Sequence, residues 1–192
     1  AKGDIFTIYQ ELFNYTFLDA VKELAHRAGI KINFEQTSNY KEYDKHLKIL
    51  ESSAKWFEEN LKVENNLCIK YLQNRKLSNE TIRTFRLGYS FNKDISLHEY
   101  LKNLSFTDEE ILKSNIVKLD KNKNIKDFFY RRLIFPITNI NGSVVGFGGR
   151  VLDASNPKYI NSPESHFFKK RTMLYNLNLA KNSARQKKNL LI

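Results

Sequence analysis

Residues 142–164, GSVVGFGGRVLDASNPKYINSPE, combine a strand-forming run, four glycines, an arginine and a Lys-Tyr-x-Asn cluster. The preceding run from Phe128 to Ile137 is dense in aromatic and β-branched residues, and Asn141-Gly142 between the two runs predicts a type I′ hairpin. Pro136 argues that the first strand is an edge or ends there. A backbone kept bare by Gly146, Gly148 and Gly149 lets a polyanion come close. Arg150, Lys158, Tyr159 and Asn161 offer charge, stacking and amide contacts beside it. The stretch is therefore expected to form a nucleic-acid or nucleotide surface.

The distribution of charge supports that expectation. The 192 residues carry 32 Lys and Arg against 21 Asp and Glu, a net charge of +11. Residues 1–120 hold 18 basic and 18 acidic side chains, whereas residues 121–192 hold 14 basic ones and only Asp127, Asp153 and Glu164 as acids. The whole excess lies in the last third, where a one-sided field attracts phosphates and weakens with salt. A solvated lysine-rich face would give the same totals.

A hydrophobic content of 41% with 13% aromatic residues excludes a disordered class. Cys68 is the single cysteine, so an intrachain disulfide and a Cys-based zinc site are impossible, and the expected compartment is reducing and cytoplasmic. No run of about 18 apolar residues predicts a membrane span. The start at Ala1 and the apolar end Asn189-Leu-Leu-Ile192 both read as cuts in a longer chain.

The front of the chain reads as helical. Asp4 caps a short amphipathic piece, and Thr16 caps a helix carrying Phe17, Ala20, Val21, Leu24 and Ala28, with Gly29 placed to stop it. Residues 31–44 lose periodicity and read as a linker. Leu47, Leu50, Ala54, Phe57 and Leu61 form a helical stripe over 44–61, with Trp56 beside it. Ile69 and Leu72 mark a further helix, and Ser78, Ser96 and Thr107 begin three more. Thr107 with Glu110 makes a capping box. Leu87-Gly-Tyr89 reads as a strand, as do short pieces near Tyr159-Ile160 and Leu174-Tyr175. A basic helix follows from Asn178 to Lys187. The predicted class is α+β, a helical N-terminal half followed by a mixed β-sheet subdomain.

Catalytic patterns are sparse. His26, His46, His98 and His166 are dispersed, and no Walker loop occurs. The Gly-x-Gly-Gly of 146–149 does not open a long helix. Ser162 lacks a base, and nothing brings Asp153 and Glu164 together. The acidic triplet Asp108-Glu109-Glu110 suits a helix N-terminus better than a metal. No catalytic residue, metal ligand or cofactor site is therefore assigned within the chain.

As a set, these segments resemble the bacterial DnaG-type DNA primases. The matching words are GFGGRVL at 146–152, PKYINSPE at 157–164, Phe168-Lys169-Lys170 and Leu174-Tyr175. Upstream, YLQNRKLSNETIRTFRLGYS at 71–90 is similar to the family's Y-L-x-x-R-G-L-S-x-E-T-I-x-x-F-x-L-G-Y element, and RLIFPI at 132–137 to its R-x-M-F-P-I strand. Gly3-Asp-Ile-Phe-Thr7 with AVKELAHRAGI at 20–30 resembles the tail of the family's zinc-ribbon domain.

The resemblance implies the N-terminal subdomain of the polymerase core at 45–188, preceded by a zinc-ribbon tail at 1–30 and a linker at 31–44. Residues 189–192 would begin a truncated TOPRIM domain. It implies a nucleotidyltransferase, a DNA-directed RNA polymerase that makes RNA primers on single-stranded DNA for replication. Its partners would be template, RNA–DNA hybrid and ribonucleoside triphosphates, with the replicative helicase met through a missing C-terminal domain and no membrane. Mg2+ in TOPRIM and Zn2+ in the ribbon are implied for the full-length protein, and the fragment alone is expected to be inactive. Arg150, Lys158, Tyr159 and Asn161, with Arg132 as a further choice, are the implied binding residues. The alternatives are a non-enzymatic basic single-stranded DNA or RNA module and a phage-type primase-helicase.

Three departures stand out. Lys76 replaces the family's Gly, where a left-handed residue costs about 1–2 kcal/mol, so a reshaped turn is expected. The family's D-R-F-R reads Asp127-Phe-Phe-Tyr130 here, with Arg131 one position later. The TOPRIM acids and the zinc-ligating cysteines are missing.

Overall fold

The computed structural model describes residues 4–13, 15, 17–31, 38–63, 66–91, 94–165 and 168–181. Helices α1 (Ile5–Phe13), α2 (Phe17–Arg27), α3 (Ser38–Leu61), α4 (Leu67–Asn74) and α5 (Asn79–Thr84) lead to strand β1 (Gly88–Ser90). Then come α6 (Leu97–Asn103), α7 (Asp108–Lys113), β2 (Val117–Leu119), β3 (Ile125–Asp127), β4 (Arg132–Thr138), β5 (Val144–Val151) and β6 (Tyr159–Asn161). A 3-10 turn at Lys170–Thr172 and helical residues 177–181 follow.

Two compact units are present. The first comprises the described residues of Ala1–Asp44, Thr138–Ser143 and Glu164–Ile192. In it the Tyr43 hydroxyl donates to Asp19 Oδ2 at 3.0 Å, Thr138 Oγ1 donates to Asn178 Oδ1 at 2.8 Å, and Lys181 Nζ donates to the Ile140 carbonyl at 3.1 Å. Asp4 caps α1 through Thr7 N at 2.8 Å, while Thr16 lies outside the described residues. Residues 38–44, predicted as linker, are the first turns of α3. They hold no Gly or Pro to break a helix, and the buried Tyr43 anchors them.

The second unit comprises Lys45–Ile137 and Val144–Pro163. Its sheet has the order β1-β4-β5-β6, with β1 antiparallel to β4 and β5 antiparallel to β6, and β2-β3 is a separate antiparallel pair. The predicted helical half followed by a sheet is present. β4 is an inner strand that runs through Pro136, contrary to the edge reading, but its register with β1 covers only Arg132–Ile134. Pro136 therefore falls where one side of the strand has no ladder bond to lose. β4 also starts later than Phe128, because Arg131 turns the chain with φ +56°.

Residues of opposite parity on the strands face two cores. Phe57 of α3 packs edge-on against Phe147 at 5.4 Å, with Phe129 at 6.0 Å from the same ring, and Ile134, Val144 and Ile160 join that cluster. Leu133 instead joins Leu61, Cys68, Leu72, Leu87 and Tyr89. A Cβ on Gly88 would lie 2.5 Å from Phe57 Cβ, so this strand position must be bare for α3 to dock.

The helix ends follow the sequence closely. Ser78, Ser96 and Thr107 each accept a bond from the N3 amide, and Ser96 with Glu99 and Thr107 with Glu110 close capping boxes. These bonds hold the Glu99 carboxyl below its usual range, mainly through the Ser96 amide. Glu110 is lowered first by Lys45 and then by Thr107. Asn66, not anticipated as a cap, accepts from Cys68 N at 2.7 Å. Helices α2, α4, α5 and α6 all end in Schellman motifs, but only α2 has glycine, Gly29, at the left-handed position. Lys76, Arg86 and Ser105 fill it elsewhere with φ of 58°, 52° and 68°. At Lys76 the turn keeps its shape, with Leu77 N bonded to Leu72 O at 3.1 Å and Lys76 N to Gln73 O at 2.8 Å. Arg86 there reaches both Glu51 and Glu58 of α3 at 2.8 Å.

Candidate nucleic-acid interface

The candidate residues gather on β5, β6 and the loop between them. Register pairs Arg150 with Tyr159 and Gly148 with Asn161, so all four share one face of the sheet. Arg150 Nε donates to the Tyr159 hydroxyl at 3.0 Å and Nη1 to the Val151 carbonyl at 3.2 Å. The guanidinium carbon lies 5.6 Å from the Tyr159 ring centroid and 4.5 Å from that of Tyr71 on α4. Both distances are within cation–π range. Nη2 has no acceptor among the described residues and is not a buried unsatisfied atom. It is a donor open to a ligand.

Tyr159 is 61% exposed, a surface aromatic and not part of the core. Its hydroxyl is fixed by Arg150, leaving ring surface on which a base can stack. Lys158 and Asn161 are exposed as well, the first carrying an ammonium and the second an amide at the end of β6. A Cβ on Gly148 would meet Asn161 Oδ1 at 3.1 Å.

Arg132 lies on the opposite face. It is buried, and Nη1 donates to the carbonyls of Pro157 at 3.0 Å, Gly149 at 3.4 Å and Lys158 at 3.5 Å. It thus ties the β5–β6 loop, and with it the backbone of Lys158, to the sheet. Burial lowers its pKa from the ordinary guanidinium value, and the Asp153 charge works the other way. Gly149 faces this side. A Cβ there would stand 2.5 Å from Phe129 Cδ1 and 3.1 Å from Arg132 Cδ, so packing requires this glycine and polyanion approach does not. Arg131, which follows the Asp127-Phe-Phe-Tyr130 segment, is exposed, with its guanidinium carbon 5.3 Å from the Tyr130 ring centroid.

Arg86 provides a contrast, because two carboxylates neutralise it. Arg150 and Arg132 are each only 8% exposed, and among the described residues neither has a carboxylate within ion-pair distance. A buried cation without a counter-charge is costly unless an anion arrives.

The other candidates have local duties. Glu110 caps α7 and pairs with Lys45, Glu109 meets Lys113 at 3.1 Å, and Asp108 meets His98 at 2.9 Å and Lys102 at 3.1 Å. Asp153 accepts from Ser155 N at 2.9 Å. His166 lies outside the described residues. Among the described residues no three His, Cys, Asp or Glu side chains gather, and burial pushes the Cys68 thiol far up, so these residues do not fit a metal ion.

Comparison with known proteins decides the family. Residues 56–181 match the DNA primase catalytic core, N-terminal domain. The chain belongs to this family. It is 38% identical over 182 residues to a DNA primase of Clostridium acetobutylicum, covering 93% of this chain and 30% of that protein. Among solved structures, the Aquifex aeolicus primase with its zinc-binding and RNA polymerase domains superposes with a TM-score of 0.68 at 30% identity, covering 96% of this chain and 45% of that one. A DnaG primase catalytic domain bound to single-stranded DNA gives a TM-score of 0.66 at 28% identity, covering 75% of this chain and 47% of that one. This primase-core chain thus spans about a third of its Clostridium relative's length. These relatives do not favour the free-standing binding module. Among the described residues of the primase domain, no helix is long and apolar enough to cross a membrane.

Sequence reasoning missed Tyr71 as a partner of Arg150. Its only signal was the aromatic opening the Tyr71-Leu72 element, and nothing local ties α4 to β5. The hairpin turn also differs from the type I′ expectation. Gly142 N bonds to Asn139 O at 2.9 Å, and of the two residues predicted left-handed only Gly142 is so, with φ +87°. Asn139 Oδ1 organises this longer turn by accepting from Asn141 N at 3.0 Å and Ser143 N at 2.9 Å. Leu174-Tyr175 forms a turn where a strand was expected.

Proposed function

We propose that this chain is the part of a DNA primase that grips template, hybrid or nucleotide phosphates while another part of the same protein joins ribonucleotides. The observation that carries the reading is the buried Arg150, with no carboxylate within ion-pair distance among the described residues, beside an exposed Lys158, Tyr159 and Asn161. Arg150 Nη2 supplies a charge-assisted bond to a phosphate oxygen, Lys158 a second, freely directed charge, and Asn161 a contact to sugar or backbone. Tyr159 supplies a sequence-tolerant stacking face. Arg132 acts from below by fixing the loop that carries Lys158.

Primer synthesis needs divalent metal to steady the triphosphate, and the residues described here do not fit one. The chain by itself is therefore expected to bind and not to polymerise. Mg2+ and Zn2+, like the helicase contact, belong in this reading to other parts of the full-length protein. The wider coverage by the Aquifex structure supports reading α1 and α2 as the helical tail of a zinc-ribbon domain.

Titrating a labelled single-stranded oligonucleotide at several salt concentrations tests the grip. Arg150→Ala and Lys158→Ala should each weaken binding and flatten the salt dependence by about 0.7 in log–log slope. Unchanged affinity and slope in both variants would overturn the assignment, and primers made by the isolated chain would overturn its division of labour.

A further inference from the structure

The β2-β3 ribbon is paired apart from the four-stranded sheet that holds Arg150. Its register sets Lys118 directly opposite Lys126, and Val117 and Leu119 opposite Asp127 and Ile125. Cross-strand partners point the same way, so the two lysines share one face. The other face is tied to the domain. Val117 is buried and Ile125 packs on the main core, while Asp127 accepts from Leu97 N at 3.2 Å and His98 N at 3.4 Å. The ribbon is held firmly, and its lysine face is exposed.

Like charges directly opposite each other destabilise a strand pair, and here no acid relieves them. Lys118 and Lys126 are exposed, as are Lys121 and Lys123 at the tip, and none of the four makes an ion pair among the described residues. Asp120, the acid of the turn, is engaged locally, accepting from Asn122 N at 2.8 Å and Asn124 N at 2.9 Å. The Asn124 amide does most to lower its pKa, and the Lys126 charge does less. Solubility accounts for scattered lysines. It does not require two on one rung of a short ribbon. Residues 117–127 contain no aromatic side chain, and Phe128 beyond them is half-buried, with Lys118 Nζ 5.6 Å from its centroid. A single strand gains from an open ring such as Tyr159, whereas lysines and asparagines alone suit a backbone whose bases are turned inward in pairs.

We infer that the β2-β3 ribbon is a second phosphate-binding element that takes the backbone of a duplex, with Lys118 and Lys126 bracketing one phosphate and Lys121 and Lys123 meeting its neighbours. This rests on the reading of the chain as a nucleic-acid-binding part of a primase, though not on Arg150 as the contact.

The test titrates the 192-residue chain at several salt concentrations with a blunt DNA duplex of about 20 base pairs, two helical turns. A thymidine oligonucleotide of about 16 nucleotides serves as the single-strand probe. The double variant Lys118→Gln with Lys126→Gln should weaken duplex binding several-fold and flatten its log–log salt slope by about 1.8. Its affinity for the thymidine strand should be unchanged, and Lys118→Arg with Lys126→Arg should bind duplex as the parent chain does. Lys123 has φ +62°, so Lys123→Gly removes a charge and a strained backbone together. It should raise the urea midpoint while lowering duplex affinity, a pair of movements that a structural role would not give. A parent chain that does not bind the duplex, or an unchanged duplex slope in the glutamine variant, overturns the inference. Equal losses on duplex and single strand overturn the duplex assignment. If Arg150→Ala binds both probes normally while the glutamine variant fails on duplex, the ribbon stands and the Arg150 grip falls.

Discussion

The two faces of β5 carry neighbouring glycines and receive one arginine each, yet they differ in what those residues face. On one face Gly149 gives way to the Phe129 ring, and the buried Arg132 bonds to backbone carbonyls. On the other, Gly148 gives way to the tip of Asn161, and Arg150 lies between two tyrosines with one nitrogen open. Arginine on the first face is a structural tie, and on the second a charge on offer. Residue type and burial are the same in both places, so the partners alone separate scaffold from site.

Exchanging the glycines gives the largest separation. Gly149→Ala must displace a core ring and should lower unfolding stability by about 1–3 kcal/mol in urea. Gly148→Ala, which moves only the end of Asn161, should cost well under 1 kcal/mol and instead weaken single-strand binding. Equal losses of stability would erase the contrast. The arginines come next. Arg132→Met leaves the Pro157 and Gly149 carbonyls without their donor, for a cost of about 1–3 kcal/mol with binding reduced only through the loosened loop. Arg150→Ala should read out mainly in the salt slope.

Two smaller effects sharpen the picture by leaving the site alone. Lys76→Gly removes the left-handed strain at the end of α4 and should raise stability by about 0.5–1 kcal/mol at unchanged DNA affinity, as urea midpoints and titrations will show. The capping carboxyls give an acid limb. Glu99 and Glu110 have folded pKa values below the ordinary 4.5, so their contribution is complete above that value and is lost as pH falls through the lowered ones. Glu99→Gln should flatten the decline of stability below about pH 4.5, measured by acid-dependent urea midpoints.

Local signals carried most of the fold. Ser78, Ser96 and Thr107 start helices because one side chain and one amide three residues on decide a cap, and such pairs are visible in a short window. Strands β5 and β6 were legible for the same reason, and their register brought Arg150, Tyr159 and Asn161 to one face. The β2-β3 pair and the early start of α3 were not, because three-residue strands and a polar helix anchored by one buried tyrosine leave no periodic trace. The different duties of Arg132 and Arg150 were illegible too, since they depend on Pro157, Gly149 and Tyr71 meeting them from other elements.

The tyrosine clasp on Arg150 has a thermodynamic consequence. Tyr71, Arg150 and Tyr159 come from separate stretches of the chain, so an unfolded molecule possesses no such receptor. A single strand that binds there is then a ligand of the native state alone, and mass action makes it a stabiliser worth about 2.7 kcal/mol at a hundredfold excess over Kd. The melting temperature of this domain would rise with oligonucleotide concentration.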